Sequence, residues 1–166
     1  MSQLDVKYVP VKDLIPYANN ARTHDDLQVS QIAASIKEFG FNNPVLLDEH
    51  SGIIAGHGRV LAAKKLKIDK VPTIKLSHLT EQQRKGYIIA DNQLAMNSNW
   101  DLDLLGLELE TLSKEDFDMA LLGFDTKELD KYLNGSPELQ NNSKELGEED
   151  FDKLAHECPK CGFEFD

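Results

Sequence analysis

Apolar residues at 29, 32, 33, 36 and 39 recur at helical spacing, and Gly40 follows as a cap, so a helix is predicted over about residues 27–39. Before it, Val6, Tyr8 and Val11 alternate with polar positions, and 6–14 reads as an edge strand because Pro10 would interrupt a central ladder. IPYANNARTHDD, rich in Asn and Asp, is the loop between them. PVLLDEHSGIIAG reads as two short strands around a polar turn. IIAGHGRVLAAKKL then passes directly from an apolar run into a helix reaching about Lys67, with Val60, Leu61, Ala63 and Leu66 on or near its buried face. VPTIKL (71–76) is a further strand. Thr80 and Gln83 form a capping box that opens a helix running to about Met96. Asp101 and Thr126 are N-caps of two later helices, 101–112 and 126–133, separated by Leu121-Leu122-Gly123-Phe124.

After Leu133 the pattern fades. NGSPELQNNSKELGEED is polar, acidic and poor in large apolar residues, as expected of a linker. The organisation predicted is an α+β domain over 4–98, a helical extension over 99–133, an acidic linker over 134–155 and a short tail over 156–166.

Charge sharpens this division. Residues 1–90 carry 12 Lys+Arg against 9 Asp+Glu, a net of +3, whereas 91–166 carry 6 against 20, a net of −14. A mildly basic front half can hold a polyanion locally despite the overall −11. No apolar run approaches a membrane span and no signal-peptide pattern opens the chain, so a cytoplasmic location without membrane contact is expected. Cys158 and Cys161 are too close in sequence to staple a fold.

Candidate chemistry gathers at Gly56-His57-Gly58-Arg59. Glycine permits positive φ and close approach, and a helix start offers unpaired N–H groups and the positive end of the helix dipole. Together they suit a phosphate. Arg59 adds a planar fork matched to phosphate oxygens, and His57 can donate to an oxygen or move a proton near neutral pH. Lysines 64, 65, 67 and 70 are further positive charge nearby. A steric turn beside a solvated arginine accounts for the same spacing, and no Walker sequence is present.

The succession LIPYANNAR, IAASIKEFGFNNPVLL, IIAGHGRVLAAKKL, VPTIKL and YIIADNQLA resembles the ParB N-terminal, or ParB/sulfiredoxin-like, domain across residues 4 to about 98. The fold this implies is a small mixed sheet with packed helices, followed by an α-helical extension and a flexible tail. AGHGR, ADNQLA, NWD and LLGF resemble a phage and mobile-element branch often associated with DNA methyltransferases. The resemblance implies a nucleoside triphosphate, CTP or ATP, bound with Mg²⁺. Where ParB proteins have Gly-Glu-Arg-Arg, this chain keeps Gly56 and Arg59 but substitutes His57 and Gly58. By the same resemblance Asp91 and Asn92 stand where a Glu-Asn pair serves the metal, Asp91 being suited to Mg²⁺. Asn42 and Asn43 occupy a loop beside the nucleotide, and Arg22 matches a first-motif arginine.

The resemblance also bounds the activity. Sulfiredoxin chemistry is rejected because its cysteine is replaced by His57. Nucleotide hydrolysis, nuclease action or small-molecule kinase action with His57 as catalytic residue remain alternatives. A kinase would need a base, for which Glu38 and Asp48 qualify by type alone. Residues 101–133 carry ten Asp+Glu against three Lys, the reverse of what DNA phosphates require, so no companion helix-turn-helix domain is expected there. The stripe of Leu102, Leu105, Leu109 and Leu112 is expected to pack on the core or on a partner. Cys158-Pro-Lys-Cys161 looks like half a zinc ribbon, with His156 a third candidate ligand. A second subunit, a partner protein or no metal at all would complete that reading. The expected role is in DNA transactions such as DNA binding, partition or modification, with a non-catalytic adaptor for a DNA methyltransferase or other phage DNA-processing protein as a further alternative. Expected partners are DNA, a DNA methyltransferase or other phage DNA-processing protein, or a second copy in a homodimer.

Overall fold

The structure, a computed structural model, describes residues 4–134, 156–157 and 164–165. Strand β1 (Val6–Pro10) passes through a 3-10 turn (Val11–Asp13) and a long loop to helix α1 (Asp26–Phe39). Hairpin strands β2 (Val45–Leu47) and β3 (Ile53–Ala55) lead into α2 (His57–Lys65), β4 (Lys70–Lys75) and α3 (Glu81–Asn97). Helix α4 (Leu102–Lys114), a 3-10 turn (Met119–Leu122) and α5 (Thr126–Asn134) form the extension. Two short strands, β5 (His156–Glu157) and β6 (Glu164–Phe165), pair antiparallel. Cys158 and Cys161 lie outside the described residues, as does the side chain of His156.

The four-stranded sheet runs β1-β4-β2-β3 and is mixed, as expected for an α+β domain. β4 is antiparallel to β1 and parallel to β2, while β2 and β3 form the predicted antiparallel hairpin. β1 is an edge strand, but it stops at Pro10, short of the predicted 14. Proline has no N–H to continue the ladder. The chain turns there, Val11 N–H donates to Asp69 O, and Val11 and Leu14 enter the core from a turn. Pro72 is tolerated in β4 because pairing with β2 begins only at Thr73.

Alternation along the strands supplies two buried faces. Val45, Leu47, Ile53 and Val71 meet Val60 and Ala63 of α2 on one side. Leu46, Ile54 and Ile74 meet Ile88 of α3, Tyr17 and Leu79 on the other. Helices α1 and α2 pack through small residues: Ala33 and Ala62 are buried together, with Ile32, Ile36 and Leu66 around them. This corrects the face expected for α2, since Leu61 is 41% exposed and Ala62 is fully buried. The capping box on α3 is present in full, Thr80 accepting from Gln83 N–H and Gln83 accepting from Thr80 N–H.

In the extension the expected stripe is present, with Leu109 buried and Leu102, Leu105 and Leu112 half-buried, and α4 packs against α5. Trp100, Phe124 and Tyr132 form a chain of aromatic contacts beside it. The stack of Phe117 on Phe39, centroids 6.3 Å apart, and a bond from Gln31 to Gly123 O tie the extension to α1.

Candidate functional site

The β3–α2 join is built as the sequence suggests. Ala55 is buried at the end of β3, Gly56 turns the chain with φ of 100° and ψ of 24°, and α2 starts at His57. No side chain caps the helix, so its first-turn amides lack a protein acceptor among the described residues. The Arg59 guanidinium folds back over the turn: a Cβ placed on Gly56 would lie 2.9 Å from its Nη2 and 3.0 Å from Nε. Only glycine leaves room for that approach.

A cleft of about 210 Å³ opens above this turn. Into it the fold brings Gly56, His57, Gly58 and Arg59 from the turn, Arg22 from the long loop, and Asp91 and Asn92 from α3. Seven predicted site residues, scattered over 71 positions of sequence, therefore converge. Arg22 donates from Nη1 to Asn92 Oδ1 at 3.1 Å, and Asn92 Nδ2 donates to Ile88 O, which fixes the amide. Asn20 stiffens the loop by bonding both ways with the Arg22 backbone. Arg59 makes no hydrogen bond or ion pair among the described residues. Burial lowers its pKa, and the charge of Asp91 across the cleft raises it. It is thus a guanidinium partly stripped of water without a carboxylate in contact, which an incoming anion would stabilise.

His57 is placed differently from the proton shuttle envisaged. Its Nε2 lies 3.2 Å from the Tyr17 N–H and accepts from it, so the neutral ring carries its proton on Nδ1. Burial, and then the charge of His24, hold its pKa below the ordinary value. The imidazole ties the arginine-bearing loop to the helix start.

Asn42 and Asn43 do not line this cleft. They line an adjoining cavity of about 490 Å³ between the α1 surface and residues 121–123, and Arg59 borders both spaces. Asn42 Nδ2 donates to Phe39 O, closing the end of α1. Lys64, Lys65, Lys67 and Lys70 line neither space, which corrects their expected contribution; Lys65 bonds Asp26 and Ser30 instead. Glu38 is away from the cleft as well. Asp48 sits in the β2–β3 turn, paired with Arg84 and accepting from the His50 and Gly52 amides.

For a metal, Asp91 is the one carboxylate lining the cleft, and the Asn92 oxygen is already engaged by Arg22. Tyr87 O–H donates to Asp91 from 3.4 Å, and burial first and Asp91 second raise the phenol's pKa. Among the described residues no group of three or more His, Cys, Asp or Glu side chains is arranged to hold a metal. The donor set fits Mg²⁺ carried by phosphate oxygens and water, with a single protein carboxylate. It does not fit a metal held by the protein alone.

Sequence reasoning missed Asn20, His24 and Gln28, which also line the cleft. His24 Nδ1 lies 2.8 Å from Gln28 Oε1. No described helix is long and apolar enough to cross a membrane.

Comparison with known proteins agrees with this architecture. Residues 1–92 match the ParB N-terminal domain, and residues 103–162 match the ParB-methyltransferase HTH domain. The second match corrects the expectation that no companion helix-turn-helix domain follows. The ParB-like nuclease domain-containing protein YnaK of Escherichia coli K12 is 57% identical over 83 residues, spanning 50% of this chain and 95% of that protein. A nucleoid occlusion protein of Bacillus cereus (strain AH187) is 29% identical over 93 residues, which are 53% of this chain and 32% of that protein. The chain thus matches about a third of such proteins. The crystal structure of the C-terminally truncated chromosome-partitioning protein ParB from Caulobacter crescentus, complexed with CTP-gamma-S, shares the fold with a TM-score of 0.59. It is 17% identical, and the superposition covers 79% of this chain and 86% of that one. The chain belongs to the ParB N-terminal domain family.

Proposed function

We propose that this is a nucleotide-binding ParB-like protein of a phage or mobile element, acting in DNA binding, partition or modification. The triphosphate of CTP or ATP rests on the first turn of α2. The carrying observation is the Arg59 guanidinium, folded over Gly56 without a protein counter-ion among the described residues, beside the uncapped amides of a helix start. Arg22 supplies the second cation of the cleft and Asn92 orients it. Asp91 would hold Mg²⁺ together with phosphate oxygens; bound there, the metal neutralises phosphate charge. The base would extend past Arg59 into the adjoining cavity, toward Asn43 and the free carbonyl edge of Asn42. That the Caulobacter ParB is complexed with CTP-gamma-S supports a nucleotide of this class.

The nuclease alternative draws less support. The cleft offers one carboxylate, and the His57 lone pair is occupied by the Tyr17 amide. A metal-dependent hydrolytic site gains its power from clustered ligands and an activated water. A kinase lacks a placed base for the same reasons.

A second reading has an observation of its own. Residues 103–162 match a domain named for methyltransferase-linked ParB proteins, yet 101–133 carry ten acids against three lysines. An adaptor that engages a DNA methyltransferase or another DNA-processing protein through this surface fits that charge better than direct phosphate contact. Calorimetric titration of CTP, ATP and ADP with and without Mg²⁺ separates the readings. The nucleotide reading expects saturable triphosphate binding that Arg59→Ala abolishes while the fold survives. An absence of heat with every nucleotide leaves the adaptor.

A further inference from the structure

Asp48 opens the β2–β3 turn, and both of its carboxylate oxygens are committed. Oδ1 accepts from the His50 and Gly52 amides, and Oδ2 accepts from Nη1 of Arg84, near the start of α3. The turn is built around this carboxylate, since a Cβ at Gly52 would stand 2.9 Å from Asp48 Cγ. The side chains of Arg84 and Asp48 are 25% and 16% exposed, whereas the neighbouring Lys85–Glu81 pair lies open to solvent. Open pairs contribute little, but a sheltered carboxylate bonded at both oxygens holds its arginine in one place.

From that place Arg84 meets the loop that serves the cleft. Its guanidinium carbon lies 5.6 Å from the centre of the Tyr17 ring, within the range of a cation–π contact. The ring is half-buried against Ile54, Leu76 and Ile88, and the Tyr17 amide donates to Nε2 of His57 at the start of α2. Five residues on, Arg22 of the same loop donates to Asn92, about two turns further along α3. The loop is thus fixed to α3 twice, at Tyr17 and at Arg22, and to α2 once.

We propose that Arg84 is a positioning residue of the phosphate site, although it lines no part of that cleft. The inference rests on the nucleotide reading above. Arg84 takes its own position from Asp48 and fixes the Tyr17 ring. Through the Tyr17 amide it keeps His57 and the arginine-bearing loop in place over the first turn of α2. A lysine cannot do the same. Its ammonium is a point charge able to meet Asp48, but it lacks the extended planar group that serves a carboxylate and a ring at once.

A double-mutant cycle between Arg84 and His57 tests this in the full chain. Inorganic tripolyphosphate is titrated into the wild type, Arg84→Lys, His57→Phe and the double variant, and exchange of the Tyr17 amide is followed without ligand. Arg84→Lys should bind about threefold to tenfold more weakly, and its Tyr17 amide should exchange faster. In the His57→Phe background the same substitution should change affinity by less than about twofold, because the tether it acts through is already gone. A merely structural role would add in full. Should the lysine variant fail to fold, Arg84→Gln combined with Asp48→Asn, which leaves no carboxylate unpaired, should show the same coupling. A folded variant with wild-type affinity, or a loss repeated in full in the His57→Phe background, would overturn the role of Arg84 and leave the nucleotide reading standing. A wild type that binds no tripolyphosphate would overturn the nucleotide reading and this inference with it.

Discussion

The backbone N–H of Tyr17 donates to Nε2 of His57, 40 residues away, at 3.2 Å. This bond anchors the loop that carries Asn20, Arg22 and His24 to the start of α2, so the arginines at 22 and 59 face one cleft. It exists only while the imidazole is neutral.

That requirement has a pH signature. The folded-state pKa of His57 lies below its ordinary 6.5. Below 6.5 the unfolded chain binds a proton that the folded ring refuses, so this contribution to stability is complete above that value and falls as pH drops below it. Urea denaturation from about pH 8 down to about pH 5 should show the decline, and His57→Phe should flatten it. An unchanged slope in the variant would remove His57 from the account of loop anchoring.

The two glycines of the turn should fail in different ways. Gly56→Ala strains a residue at φ of 100° and pushes the Arg59 guanidinium away, so polyphosphate affinity should fall with the stability. Gly58→Ala presses on Ile32 and His24 where α1 meets α2, an overpacking expected to cost about 1–3 kcal/mol. Urea midpoints with matched ligand titrations distinguish them.

Arg22 and Asn92 form an ordered pair, and removal of either should not be equivalent. Arg22→Ala deletes a cation and should weaken tripolyphosphate binding about tenfold. Asn92→Ala leaves the cation but frees its tip, so the loss should be smaller. Equal losses, read by calorimetry, would mean that Asn92 itself contacts the ligand.

Thr80→Ala removes the N-cap of the helix that carries Asp91 and Asn92. A loss of about 1 kcal/mol is expected. Amide exchange should quicken in the first turn of α3 before it changes in α2.

Much of this was legible in the sequence, for identifiable reasons. Caps and periodicity are local, so Gly40, Thr80 and Asp101 and the elements they bound could be read directly. The turn at 56–59 was legible because glycine at a strand-to-helix join permits the positive φ that Gly56 takes. The buried face of α2 was legible at Val60 and Ala63 but not at Gly58 and Ala62, whose small side chains leave almost no hydrophobic period. His24 was missed for a related reason: its place depends on how closely α1 approaches Gly58, a tertiary fact. The acidic composition of 101–133 argued against a helix-turn-helix domain, yet composition reports on a partner's charge more than on fold, and residues 103–162 match a model of such a domain.

The central claim is that a polyphosphate sits on the first turn of α2 against Arg59. Amide ¹H–¹⁵N spectra of the full chain, titrated with tripolyphosphate and then with CTP and Mg²⁺, test it most directly. The largest shifts should fall on the amides of Gly56, His57, Gly58 and Arg59, with Arg22 responding next and α5 unaffected. Saturating ligand that leaves those four amides unmoved, or shifts centred elsewhere, would contradict it.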